Sequence, residues 1–181
     1  DDSMGKQTVN VTVSKPSMTK EISITALFIA LTLLFTFFVN IRLPIAANGG
    51  LIHLGNVPFL LAAIIYGKKT GAIVGGIGMG LFDVMSGWIA WAPCTLIVVG
   101  LMGFVVGFIC EKKKTIPWIF VSIIAALIIK VAGYYIYEAL MYHSFIIPFA
   151  SIPGNIVQIG VAGVIVLLII TPLERILRKL N

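Results

Sequence analysis

The sequence predicts an all-α integral membrane protein with six transmembrane helices and both termini in the cytoplasm. Composition gives the class: 59% of the 181 residues are hydrophobic, 11% are charged, and the mean hydropathy is +1.07, far too apolar for a soluble domain of this length. Pattern gives the number of spans, because apolar runs alternate with short polar turns along the chain after residue 17. Charge gives the orientation. Lys6, Lys15, Lys20, Lys68, Lys69, Lys112, Lys113, Lys114, Arg175, Arg178 and Lys179 fall on one side of a six-span chain and only Arg42 falls opposite; loops rich in lysine and arginine stay in the cytoplasm. The net charge of +6 is thus a topology signal spread over several loops, not the single basic patch of a nucleic-acid binder.

Residues 1–17 read as a polar N-terminal tail, part of it an artificial extension, and residues 18–181 as the membrane domain. The run Ile22 to Val39 is the first helix, since roughly 20 apolar residues cover a hydrocarbon core of about 30 Å. It exceeds the apolar core of about 7 to 15 residues of a cleaved signal. Its Ala26/Ala30 pair is a small-xxx-small face on which another helix can pack closely. Ile45 to Gly55, IAANGGLIHLG, has too many turn residues for a helix and is too apolar for a solvated loop, so it is expected to fold back onto the protein. The second helix runs from about Val57 to Tyr66, with Pro58 in its first turn, and is short for a span.

The third helix, about Gly71 to Gly87, carries two GxxxG pairs, Gly71/Gly75 and Gly76/Gly80, and one charge, Asp83. Trp88 and Trp91 frame the uncharged turn that follows, as interfacial aromatics do. The fourth helix spans about Pro93 to Cys110 and ends at Glu111-Lys112-Lys113-Lys114. Its cysteines, Cys94 and Cys110, lie about 24 Å apart along the axis, beyond disulfide reach. The fifth helix, about Ile116 to Tyr142, carries Lys130, Tyr134, Tyr137 and Glu138, and the sixth runs from about Pro153 past Asn155 and Gln158 to Thr171-Pro172, with Leu173 to Leu180 as a basic amphipathic tail.

Counting from the lysine-rich helix ends at 1.5 Å per residue puts Asp83, Lys130 and Gln158 at one depth, about 21 Å in. Asn155 lies a turn further out, and Glu138 further still, near the interface. Ionisable groups inside a membrane are costly and mark functional sites. Together with His53 and Asn56 of the folded-back segment, Trp88 and Tyr134, they have the mixture that small polar solutes need: a few directed donors and acceptors in an aromatic-walled cavity. Two readings stay open for Asp83 and Lys130, ligand contact or mutual neutralisation, and for His53, ligand contact or orientation of its own loop.

Other chemistries fit less well. Gly67-Lys68-Lys69-Thr70 lacks the upstream glycine of a P-loop, the position being Ala62, so no nucleotide site is expected. His53 and His143 are the only histidines and neither has metal-ligand spacing, so neither a metal nor another cofactor is expected. Polar groups gathered at one end do not suit a channel, which needs them through its depth. A stand-alone proton-coupled transporter, relaying protons through Asp83, Lys130 and Glu138, is the alternative.

The Ala26/Ala30 pair, GLIHLGN at Gly50 to Asn56, LFDVMSG around Asp83, APCTLIVVGLMG after Trp91 and IPGNIVQ at Ile152 to Gln158 together resemble the substrate-binding S component of an energy-coupling factor (ECF) vitamin transporter. The resemblance covers about Met18 to Asn181 and is closest to the riboflavin-transporter-like group that includes pyridoxine and hydroxymethylpyrimidine S components. It implies a six-helix fold and a vitamin site near the outer face capped by the first loop. It also implies assembly with a transmembrane T component and two cytoplasmic ATPases that hydrolyse the ATP, so the chain itself is expected not to be an enzyme. Ala26 and Ala30 then become the candidate partner interface.

Overall fold

The structure, a computed structural model, describes residues 16–44 and 50–180. Six α-helices follow one another: α1 (Met18–Phe38), α2 (Asn56–Tyr66), α3 (Lys68–Ser86), α4 (Ala92–Lys112), α5 (Ile116–Tyr142) and α6 (Ile152–Leu180), the last preceded by a 3-10 turn, Ile147–Ser151. The expected polar tail, apart from its last two residues, and residues 45–49 of the expected fold-back lie outside the described residues. What is described of that fold-back adds a small sheet to the all-α expectation: β1 (Asn40–Arg42) pairs antiparallel with β2 (Leu51–His53), Ile41 opposite Ile52. The Val39 carbonyl accepts from the Leu54 amide at 3.0 Å, so the hairpin closes back on the end of α1.

Four segments are long and apolar enough to cross a membrane: Met18–Phe38, Ala92–Lys112, Ile116–Tyr142 and Ile147–Leu180. The two that are not owe this to their positions. α2 has eleven residues, of which Asn56 to Ile64 are all buried; it is the axis of the bundle, packed against α1, α3, α4 and α6. A helix enclosed by its neighbours needs no full lipid-spanning length, because they cover its ends. α3 carries Lys68, Lys69 and Asp83 and five glycines, which dilute its hydropathy.

Those glycines set the geometry. The most extensive helix pairing is α3 with α4, and it is a backbone-to-backbone crossing: a Cβ on Gly103 would run into the Gly71 carbonyl, and one on Gly75 would lie 2.8 Å from the Val99 carbonyl oxygen. On other faces of α3, a Cβ on Gly71 would lie 2.5 Å from the Ala63 Cβ of α2, and one on Gly78 would lie 3.1 Å from the Thr32 Cγ2 of α1. Gly87 ends the helix at φ 89°, a left-handed cap that only glycine adopts at little cost.

The sixth helix differs from expectation. Pro172 does not end it; α6 continues to Leu180 with the proline inside. The lost amide bond is tolerated because the continuation is held from the side: Leu173 packs on the core and Glu174 pairs with Lys114 at 3.5 Å. Two further ion pairs bind the same end of the bundle, Lys68 to Glu111 at 3.5 Å and Lys69 to Glu21 at 3.6 Å. Exposed pairs of this kind contribute about 1 kcal/mol or less each.

Gly103→Ala is expected to lower the thermal midpoint in detergent, by the roughly 1–3 kcal/mol that overpacking costs. Gly100→Ala, whose Cβ would sit 3.6 Å from the Ala72 carbonyl oxygen, is expected to be neutral or slightly stabilising, since alanine favours a helix by about 1 kcal/mol over glycine. Equal midpoints for the two variants would show that the crossing is not limited by backbone contact.

Candidate functional site

At the end of the bundle that carries the hairpin, a cavity opens between β2, α3, α4, α5 and α6. It encloses about 400 Å³ not filled by protein atoms, part of it open to solvent. Six of the residues singled out in the sequence line it: His53, Asp83, Trp88, Lys130, Tyr134 and Gln158. Helix periodicity turns them to one interior point, and the depth count from the lysine-rich ends had put three of them at one level. Asn56 and Asn155 are buried as well, but outside the lining. Ala26 and Ala30 are exposed on α1, well away from the cavity.

Each polar wall residue is held on one side and open on another. Gln158 on α6 donates its amide to the Leu51 carbonyl at 2.5 Å, which ties the hairpin to the bundle; its Oε1 has no partner among the described residues. The His53 Nδ1 accepts from the Gly55 amide at 3.2 Å, so the ring orients its own turn and also faces the cavity, with its hydrogen on Nε2. Burial, helped by the charge of Lys130, pushes this imidazole from 6.5 down to about 3. The Gly55 turn is wedged against α1, where a Cβ would run into the Thr36 hydroxyl.

Among the described residues, the Asp83 Oδ2 and the Trp88 indole nitrogen have no hydrogen-bond partner. The Lys130 ammonium stands 5.0 Å from the centre of the Tyr134 ring, a cation–π contact, and makes no direct ion pair with Asp83 among the described residues. Tyr134 shares a hydroxyl–hydroxyl hydrogen bond of 2.6 Å with Thr95 of α4. Phe82 contributes an aromatic wall and packs against the His53 ring at 6.1 Å. At the mouth, the Arg42 guanidinium of β1 lies 5.8 Å from the centre of the Trp88 ring.

Several wall residues had escaped the reading of the sequence: Leu51, Met79, Phe82, Thr95 and Val99. Thr95 had one signal, a hydroxyl one helical turn past Trp91 in an otherwise apolar helix. The apolar residues had none, because only the fold shows which flank of a helix meets the cavity. Glu138, expected at a depth near the interface, is fully buried within the protein; the Trp91 indole and the Ser151 hydroxyl donate to it at 3.0 and 2.5 Å.

The family described as ECF-type riboflavin transporter, S component, matches residues 17–175. The chain belongs to this family. An S component is a substrate-binding membrane subunit, not an enzyme, and the apolar helices accord with that. The S-component sequence here is 28% identical over 154 residues to the thiamine precursor transporter HmpT of Lactococcus lactis subsp. cremoris, covering 85% of this chain and 87% of that protein. It is 32% identical over 94 residues to an uncharacterized protein of the gap 3′ region of Pyrococcus woesei, over 52% of this chain; the match spans only 63% of that relative's length. A solved structure of the S component of a bacterial ECF transporter superposes with a TM-score of 0.67, covering 88% of this chain and 98% of that one at 18% identity, which establishes the shared fold.

Because its folded value lies below 6.5, His53 favours the neutral form in the native S component. Its contribution to stability is present above 6.5 and is lost as the pH falls below that value toward 3. In a His143→Gln variant, where His53 is the only histidine left, ¹⁵N NMR is expected to report a neutral imidazole with a protonated Nε2 from pH 8 down to pH 5. An imidazolium at pH 5 would contradict the buried, amide-capped geometry.

Proposed function

We propose that this S component captures a small, uncharged heteroaromatic vitamin or vitamin precursor in the hairpin-end cavity, with hydroxymethylpyrimidine or pyridoxine as the best candidates. The cavity then faces outward, all six helices traverse the bilayer and both termini are cytoplasmic. Cargo is handed inward when the chain assembles with a transmembrane T component and two cytoplasmic ATPases. The observation that carries this reading is the set of polar atoms left without partners in the wall, the Asp83 Oδ2, the Gln158 Oε1 and the Trp88 Nε1. Buried polar atoms are ordinarily hydrogen-bonded, so a wall with two free acceptors and a free donor calls for a ligand with both functions. The Lys130 ammonium adds a second donor. Flanking rings of Phe82, Trp88 and Tyr134 suit a flat ligand, and opposite charges on Asp83 and Lys130 leave no net charge for an ionic one to neutralise. The name of the Lactococcus relative, a thiamine precursor transporter, points the same way.

Asp83 and Lys130 share the wall without closing to ion-pair distance, which supports ligand contact over mutual neutralisation. Isothermal calorimetry against a panel of B vitamins and their precursors tests the reading: one of them is expected to bind stoichiometrically, with no ATPase activity in the isolated chain. Gln158→Ala and Asn155→Ala are expected to weaken binding by about 1–3 kcal/mol each, the cost of leaving a buried partner unpaired. For the charges, Asp83→Asn, Lys130→Met and the double variant are compared. Ligand contact predicts folded single variants that bind poorly and no rescue by the double variant, whereas rescue of both stability and affinity would assign the two residues to the scaffold.

The proposed partner face is on α1, little buried within its own bundle and exposing Ala26 and Ala30. Small residues let helices approach closely, so Ala26→Trp or Ala30→Trp is expected to abolish assembly with the T component while vitamin affinity stays unchanged. Normal co-purification of either variant with the partner subunits would move the interface elsewhere.

A further inference from the structure

One wall of the cavity depends on a carboxylate that does not line it. Glu138 on α5 has no exposed surface. Its Oε1 accepts from the Trp91 Nε1 at 3.0 Å and its Oε2 from the Ser151 hydroxyl at 2.5 Å, so a single side chain joins α5 to the start of α4 and to the 3-10 turn before α6. Trp91 meets Trp88 edge to face, with 5.2 Å between ring centres and 67° between planes. Trp88 is the cavity residue, and Arg42 of the hairpin lies over its ring. The neighbouring Tyr137 fixes the same turn from the same helix, donating to the Ala90 carbonyl at 2.5 Å. Backbone bonds hold the turn to its own flanking helices, the Trp88 amide donating to the Asp83 carbonyl and the Thr95 amide to the Trp91 carbonyl, while the side-chain bonds that brace it from across the bundle come from α5.

We propose that Glu138 is a positioning residue for the binding cavity: by fixing Trp91 it sets the attitude of Trp88, and through Trp88 the seat of Arg42 and the hairpin. The proposal rests on the cavity being the solute site, as argued above. The geometry has the form of an outer hydrogen-bonding shell, in which a buried partner orients the group that meets the ligand. Glu138 is well suited to this because it offers two acceptor oxygens to donors from two elements, and charge-assisted bonds are stronger than neutral ones.

The test separates positioning from mere stabilisation. The chain has three tryptophans, so a Trp118→Phe background leaves only Trp88 and Trp91 to fluoresce. Without ligand, Glu138→Ala is expected to shift the emission maximum to the red and to raise acrylamide quenching. Glu138→Gln, which keeps an oxygen to accept from Trp91, should restore the parental spectrum. Titration with hydroxymethylpyrimidine and with pyridoxine is expected to show Kd raised about tenfold in Glu138→Ala, as loss of one charge-assisted bond allows, and near-parental affinity in Glu138→Gln. A Glu138→Ala protein with a lower melting point but parental spectrum and affinity would overturn the proposal. If Glu138→Ala does not fold, Trp91→Phe removes the indole donor while keeping a smaller aromatic ring at the position, and leaves Trp88 as the sole fluorophore. Raised quenching of Trp88 with weaker binding supports the proposal, and an unchanged Trp88 signal overturns it. The spectra are read without ligand, so failure of both solutes to bind would sink the functional reading while the spectra still decide the role of Glu138.

Discussion

The crossing of α3 and α4 is the contact on which the other features depend. Inside a bilayer, lipid is as apolar as leucine, so helices gain little by burying side chains against one another and more by close van der Waals contact. Gly71 against Gly103 and Gly75 against Val99 bring two backbones together where side chains would hold them apart. That approach fixes the facing ends of the two helices, and with them Asp83 near the end of α3, Thr95 near the start of α4 and the Trp88–Trp91 turn between. The other glycine faces of α3 serve the same end. They seat α2 at the bundle axis and bring the last turns of α1 close enough for the hairpin to fold over the cavity.

The two ends of the bundle divide the work. At the lysine-rich end every ion pair found among the described residues, Lys68–Glu111, Lys69–Glu21 and Lys114–Glu174, is exposed or half-buried and links different helices. At the hairpin end Asp83, Lys130 and Glu138 are buried: Asp83 and Lys130 share the wall, and Glu138 accepts from an indole and a hydroxyl. Unfilled hydrogen-bonding capacity in a low-dielectric space is costly for the empty protein and correspondingly favourable once a complementary solute fills it. The arrangement suits capture better than structural support.

Much of this was legible in the sequence because membrane helices obey few rules. Apolar runs and basic turns gave the six helices, and a count of residues from the charged ends brought Asp83, Lys130 and Gln158 to one level because the helical rise is nearly constant. What failed depended on lateral packing, which such counting does not contain. Pro172 suggested a stop, yet Lys114 and the core hold α6 together beyond it. Nothing in the linear order shows that Trp91 and Ser151 close over Glu138. Asn56 and Asn155 are buried at the same end of the bundle, outside the immediate lining. Thr95, the missed polar wall residue, gave only the weak signal of a lone hydroxyl in an apolar helix, and its contact with Tyr134 reveals its place in the wall.

The fastening of the hairpin has a kinetic consequence. Among the described contacts, one side-chain bond, from the Gln158 amide to the Leu51 carbonyl, ties β2 to α6, and a net hydrogen bond is worth about 1 kcal/mol. An energy of that size favours the fastened arrangement by a factor of only about five. Leu51 and His53 are buried against the bundle and the Gly55 turn is wedged against α1, so this bond sets the fine position of the hairpin over the cavity and not its attachment. A solute that accepts or donates at Gln158 strengthens the bond on the other side of the same amide, lengthening its own residence time without any further contact.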